Sequence, residues 1–146
     1  MTDKQRSFFL ELSTGLLILL FVSTATDKLL HQERFEMALH MSPLLHPFAS
    51  IIPAAVPVIE LVLALLLFIP RCRNTGYAGS AFLLTCFSCY IVYMLLFTPQ
   101  LPCSCGGVMK ELSWTEHLFF NGFFILLSAP IFWSGFIFSS LNLNKA

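Results

Sequence analysis

The stretch GYAGSAFLLTCFSCYIVYMLLF, Gly76 to Phe97, carries no charged side chain. As a helix it rises about 33 Å, at about 1.5 Å per residue, enough to cross a hydrocarbon core about 30 Å thick. Its apolar residues are continuous rather than alternating. A strand is therefore disfavoured, and an open sheet edge cannot satisfy its backbone in lipid. Working outward, three more runs read the same way. The expected fold is all-α, an integral membrane bundle of four transmembrane helices in one domain, residues 1–146. The spans fall at roughly 8–30, 48–70, 76–98 and 116–138.

Composition agrees. Hydrophobic residues make up 57% and charged residues 11%, against about 25% charged in an ordinary soluble domain. So few charges cannot cover a water-facing surface. The formal net charge of zero gives no electrostatic case for a nucleic-acid partner. Asp3, Lys4 and Arg6 precede the first run, and no small-residue cleavage site follows it. It reads as a retained helix rather than a secretory signal.

Turn signals separate the runs. Ser42-Pro43 and His46-Pro47 precede the second, Pro57 is expected to bend it, and Pro70 closes it. Asn74-Thr75-Gly76 reads as a tight turn into the third. Thr98-Pro99 ends that run, and Ser113-Trp114-Thr115-Glu116 has the form of a capping box opening the fourth. Pro130 is expected to kink it. Lys4 and Arg6, Arg71 and Arg73, and Lys145 fall on one side of a four-span bundle. By the positive-inside rule that side is cytoplasmic and holds both termini. The loop from Pro99 to His117 is then placed outside, in the periplasm of a bacterial inner membrane.

That loop contains Leu101-Pro102-Cys103-Ser104-Cys105-Gly106-Gly107. On the oxidising side Cys103 and Cys105 can bridge, and a ring with one intervening residue is strained. Strained, exposed disulfides are the labile and catalytic ones. Gly106 and Gly107 let a partner approach closely, and Pro102 stiffens the entry. The pattern suits thiol–disulfide exchange, with Lys110 or a protonated His117 available to stabilise a thiolate. Two other readings stay open: a passive structural turn, and a soft-metal site in which the two thiolates and His117 hold Cu(I) or Zn(II). The spacing assigns no metal ligand set.

Other polar residues stand out against the apolar background. Glu60 lies near the middle of the second run, where an ionisable group marks a functional site by default. It must be protonated or paired, and Lys28 and His117 are its candidate partners, each placed toward the outer surface. Proton handling and a plain packing hydrogen bond are both readings for it. Asn121 follows His117 by four residues and shares its helix face. Asp27-Lys28 also reads as an interfacial anchor, and Trp114 suits an aromatic belt. Cys86 and Cys89, at i and i+3 within the third run, read as small packing residues or as a second redox pair. A redox pair at that depth calls for a lipid-soluble acceptor such as a quinone. About 12 Å of helix separates Cys89 from Phe97, which argues against coupling to Cys103 and Cys105. Cys72 reads as a reduced thiol without a special role.

Several of these segments together resemble the MauE/DoxX-like family of redox-associated inner-membrane proteins, over roughly Leu16 to Ser128. They are Ser23-Thr24-Ala25-Thr26-Asp27-Lys28-Leu29-Leu30 with Phe35, then Pro57-Val58-Ile59-Glu60 and Ile69-Pro70-Arg71. The most specific is Pro102 to Gly107, followed by Leu112-Ser113-Trp114-Thr115-Glu116-His117 and Asn121. The resemblance implies a four-helix membrane bundle acting in disulfide formation or thiol redox balance outside the cytoplasm. It implies a thioredoxin-like partner or a disulfide-containing client and, in methylamine-utilisation members, maturation of an amine dehydrogenase subunit. Those members read Cys-Gly-Cys-Phe-Gly, whereas Ser104 and Gly106 stand here for the Gly and the Phe. The expected function is membrane thiol–disulfide exchange through Cys103 and Cys105, as an oxidoreductase or an accessory to one. Glu60, Lys28, His117, Asn121, Trp114, Gly106 and Gly107 support the site. The alternatives are a non-catalytic assembly factor or partner subunit with a structural cysteine loop, and a Cu/Zn-handling membrane protein.

Overall fold

A computed structural model describes residues 3–97 and 115–128, all helix and connecting turn. Helix α1 spans Asp3–Leu30, α2 Gln32–His40, α3 Ile52–Phe68 and α4 Arg73–Phe97. Residues 115–128 are helical and are designated α5. Short 3-10 turns, His46–Phe48 and Pro70–Cys72, precede α3 and α4. Two helices are long and apolar enough to cross a membrane, over Ser7–Leu30 and Pro70–Phe97. Large apolar side chains such as Leu19, Phe82, Leu96 and Phe119 face outward. A surface of this kind suits contact with lipid rather than water.

The long helices alternate in direction. Lys28, in the last turn of α1, reaches Glu60 of α3. The end of α3 meets the start of α4, where Arg73 Nε donates to the Leu67 carbonyl at 3.3 Å. Phe124 of α5 joins Leu17 and Phe21 of α1 in the core. Helix α3 lies between α1 and α4 and packs most extensively on α1. The starts of α1 and α4 are tied directly. Thr14 and Tyr77 share a buried hydroxyl hydrogen bond of 2.7 Å, and Arg73 meets Glu11 at 2.9 Å.

Two helix starts differ from the sequence reading, each for a proline reason. Helix α3 begins at Ile52 rather than near residue 48, because the 3-10 turn around Pro47 comes first and Pro53 sits in the first helical turn. A proline there loses no hydrogen bond, since the first N–H groups of a helix are unpaired anyway. Pro57 lies within an uninterrupted α3 and is buried. Asn74-Thr75-Gly76 is already helical. The chain reverses one step earlier, where Ile69 is extended (ψ 114°), as the residue before a proline prefers, and Pro70–Cys72 form the 3-10 turn. Gly76 serves close packing instead of turning. A Cβ there would lie 3.0 Å from both Leu67 Cγ and the Leu67 backbone nitrogen.

At the other end α1 breaks at His31 (φ −119°, ψ 38°), where α2 starts. The His31 N–H still caps the Asp27 carbonyl at 2.9 Å. Helix α2 then buries Phe35 and Leu39 and leaves Met37 outward.

Gly76→Ala should destabilise the bundle by about 1–3 kcal/mol, since the obstructing atoms include backbone. Gly15→Ala, with open space around it, should be neutral or stabilising by up to about 1 kcal/mol. Denaturant titration of the purified protein in micelles measures both. Equal effects would show that the α3–α4 approach at Gly76 is not tight.

Candidate functional site

The last turn of α1 and the first half of α3 build a polar centre in apolar surroundings. Lys28 Nζ lies 2.5 Å from Glu60 Oε1, and the two residues are 8% and 2% exposed. An ammonium at this depth needs more than one partner, and aromatic rings supply the remainder. Phe35 of α2 and Phe87 of α4 lie 5.9 Å and 5.2 Å from Nζ, within cation–π range. Three helices besides α1 therefore hold one cation.

Glu60 uses only half of its carboxylate in this way. Its Oε2 is buried and accepts no hydrogen bond, and Asp27 Oδ2 is in the same condition. The other Asp27 oxygen lies 3.2 Å from His31 Nδ1. Beside Glu60 is a cavity of about 80 Å³ lined by Lys28, Thr24, Tyr90, His117 and Asn121, among others. The space exceeds one water's share of about 30 Å³, and its lining can supply the two to four polar partners that a water needs. The Thr24 hydroxyl donates to the Leu20 carbonyl at 2.9 Å.

Four residues singled out in the sequence thus converge here: Lys28, Glu60, His117 and Asn121. Of the two partners considered for Glu60, Lys28 makes the ion pair, and His117 lines the same cavity. Helix α3 also starts later than the sequence reading placed it. Glu60 stands about 12 Å along the helix from Ile52, rather than about 18 Å from residue 48. Sequence reasoning did not assign Phe87, Tyr90 or Thr24 to this site. Phe87 sits between Cys86 and Cys89, but nothing in that spacing announces a cation partner on α1.

The thiols divide into two groups. Cys103, Cys105, Gly106, Gly107 and Trp114 lie outside the described residues. Cys86 and Cys89 are free thiols, as is Cys72. The first two line a separate apolar cavity of about 480 Å³ between α2, α3 and α4. Phe35, Phe87 and Tyr90 face both cavities. Among the described residues no group of three or more His, Cys, Asp or Glu side chains is placed to hold a metal ion. The metal reading depended on Cys103 and Cys105 together with His117.

Removing one partner of a buried ion pair leaves an uncompensated charge, at a cost of about 3–5 kcal/mol. Glu60→Ala should lose about that much, as should Lys28→Ala. The double variant Lys28→Met with Glu60→Leu should recover most of it. The three denaturation midpoints in micelles measure this, and strictly additive losses would mean that the pair is not coupled.

The model of the family described as "Methylamine utilisation protein MauE" matches residues 6–134. That range takes in the whole polar centre and the Cys103–Cys105 segment. No curated protein and no solved structure matches the chain. A match over nearly the full length, on a chain whose described residues are helical with lipid-suited helices, fixes the assignment: this protein belongs to the MauE family.

Proposed function

We propose that the protein is a membrane thiol–disulfide redox protein in which Cys103 and Cys105 cycle between dithiol and disulfide. The carrying observation is the convergence of Lys28, Glu60, His117 and Asn121 on one cavity, two of them from α5, the helix that follows the cysteine segment in sequence. Exchange needs such groups. When a partner dithiol reduces the Cys103–Cys105 disulfide, a partner thiolate attacks one sulfur and the other leaves. The second partner thiolate then resolves the mixed disulfide. Two electrons and two protons pass from the partner to this chain, and the reverse direction returns them. In this reading Glu60, Lys28 and His117 handle protons, Asn121 orients them, and Gly106, Gly107 and Trp114 shape the approach to the sulfurs.

The topology belonging to this reading is one domain, residues 1–146, with spans at roughly 8–30, 48–70, 76–98 and 116–138. Both termini are cytoplasmic and the cysteine segment is periplasmic in a bacterial inner membrane. The distribution of Lys and Arg supports it, as does the alternating direction of α1, α3, α4 and α5. The partner is a periplasmic thioredoxin-like protein or a disulfide-containing client. The family's description points to a client in methylamine utilisation. One observation favours a non-catalytic assembly role instead: the Lys28–Glu60 pair ties α1 to α3 whatever the cysteines do.

Cys103→Ala or Cys105→Ala should accumulate a mixed disulfide with a periplasmic protein, visible on non-reducing gels and identified by mass spectrometry. If neither single variant traps a partner under oxidising conditions, exchange is excluded. The double variant Cys103→Ser with Cys105→Ser separates the assembly role, which predicts a lower protein level. Exchange predicts a normal level with function lost.

A further inference from the structure

The cavity of about 480 Å³ lies within the size range of small-molecule sites, about 300–1,000 Å³. Leu45 and Val56 form one side, and Cys86, Cys89, Tyr90 and Tyr93 of α4 the other. An apolar volume of this kind is a poor host for water, so its occupant is apolar.

Cys86 and Cys89 are one turn apart on α4 and both are exposed. Small residues that serve helix packing are buried against a neighbouring helix, and these are not. Packing therefore gives no account of two thiols on the wall of this cavity. Cys89 is about 12 Å, and Cys86 about 17 Å, along the helix from Phe97. A reagent that occupies the apolar cavity they line is itself apolar.

We propose that this cavity takes the ring of a lipid-soluble quinone, which oxidises the Cys86–Cys89 dithiol to a disulfide. The reaction is self-contained. The S–S bond forms as the two thiols give up two electrons and two protons. The two quinone carbonyl oxygens accept them and become the hydroxyls of the hydroquinone. An acyl chain would fill the space but accept no electrons, and dioxygen would not need a volume this large. The aromatic walls suit a flat ring, with ring–ring contacts worth about 0.5–1.5 kcal/mol each.

Closing the disulfide asks for a local change in α4. Cβ atoms at i and i+3 of an α-helix lie about 5–6 Å apart, whereas a disulfide needs about 3.5–4.5 Å. Tightening that turn toward 3-10 geometry eclipses the two side chains and brings them together. The segment is suited to this. Thr85 Oγ1 donates to the Ala81 carbonyl at 2.7 Å, and Ser88 Oγ to the Leu84 carbonyl at 2.9 Å. Hydroxyls bonded back to the preceding turn compete with the helical ladder and bend it.

The test uses the full-length protein in nanodiscs, reduced and anaerobic, with Cys72, Cys103 and Cys105 each replaced by Ser. Only Cys86 and Cys89 remain, so failure here is separate from failure of exchange at Cys103 and Cys105. The probe is decylubiquinone, whose fully substituted ring forms no thiol adduct. The expected result is one hydroquinone per protein, followed by absorbance, with a Cys86–Cys89 disulfide found by alkylation and mass spectrometry. Cys86→Ser or Cys89→Ser should abolish it. Val56→Trp, which fills the cavity, should slow it by about tenfold or more by displacing the ring. Leu45→Trp replaces it if Val56→Trp does not fold. Thiols that remain fully alkylatable overturn the proposal, as does an unchanged rate in the folded cavity-filling variant.

Discussion

A single ammonium–carboxylate contact sets the arrangement of the apolar helices. In lipid there is little hydrophobic drive for one apolar helix to choose another, so packing and polar contacts carry the specificity. Lys28 and Glu60, 2.5 Å apart and almost fully buried, fix the register of α1 against α3. The rings of Phe35 and Phe87 then draw α2 and α4 to the same point. Moving α1 against α3 by one turn would strand a charge in apolar surroundings. The other end of the bundle is fastened more lightly. Thr14–Tyr77 is a neutral hydroxyl pair, and Arg73–Glu11 is partly exposed, so the latter adds about 0–1 kcal/mol. The firm end of the molecule is the end where its polar chemistry is gathered.

The same pair is also incomplete in a specific way. One oxygen of Glu60 meets Lys28, and the other is buried without a hydrogen bond in a residue that lines a small cavity. A group kept only for packing would gain by satisfying both oxygens, because each buried orphan acceptor costs about 1–3 kcal/mol. In the reading proposed above, that oxygen handles protons beside His117 and Asn121, so one side chain would serve as both clamp and chemical group.

Helices α1, α3 and α4 were legible in the sequence because a lipid-spanning run is long, continuous and nearly free of charge; the short, charged α2, Gln32–His40, fell between the expected spans and was not. Glu60, Lys28, His117 and Asn121 were legible for the same reason, as polar residues stand out in such runs. The element starts were less so. Proline shifted them: the 3-10 turn at Pro47 delayed α3, and the turn at Pro70 came before Asn74-Thr75-Gly76 and left that segment helical. Which of the candidate partners meets Glu60 was set by how α1 packs on α3, and that packing brings Lys28 to it. The aromatic partners left no sequence mark. The chain has 16 phenylalanines, and nothing in their spacing distinguishes Phe87, beside a cation, from Phe82, facing outward.

Phe35, Phe87 and Tyr90 each belong to two cavities at once. The volumes on either side of these rings are consequently complementary: a ring that swings to widen one narrows the other. An occupant of the larger cavity that moves these rings would therefore carry a coupling free energy to the ion pair on the other side. By linkage, the state of the ion pair would then alter the affinity of that cavity by the same factor. Three aromatic rings make a thin partition, and a partition of that kind transmits pressure in both directions without any charge passing through it.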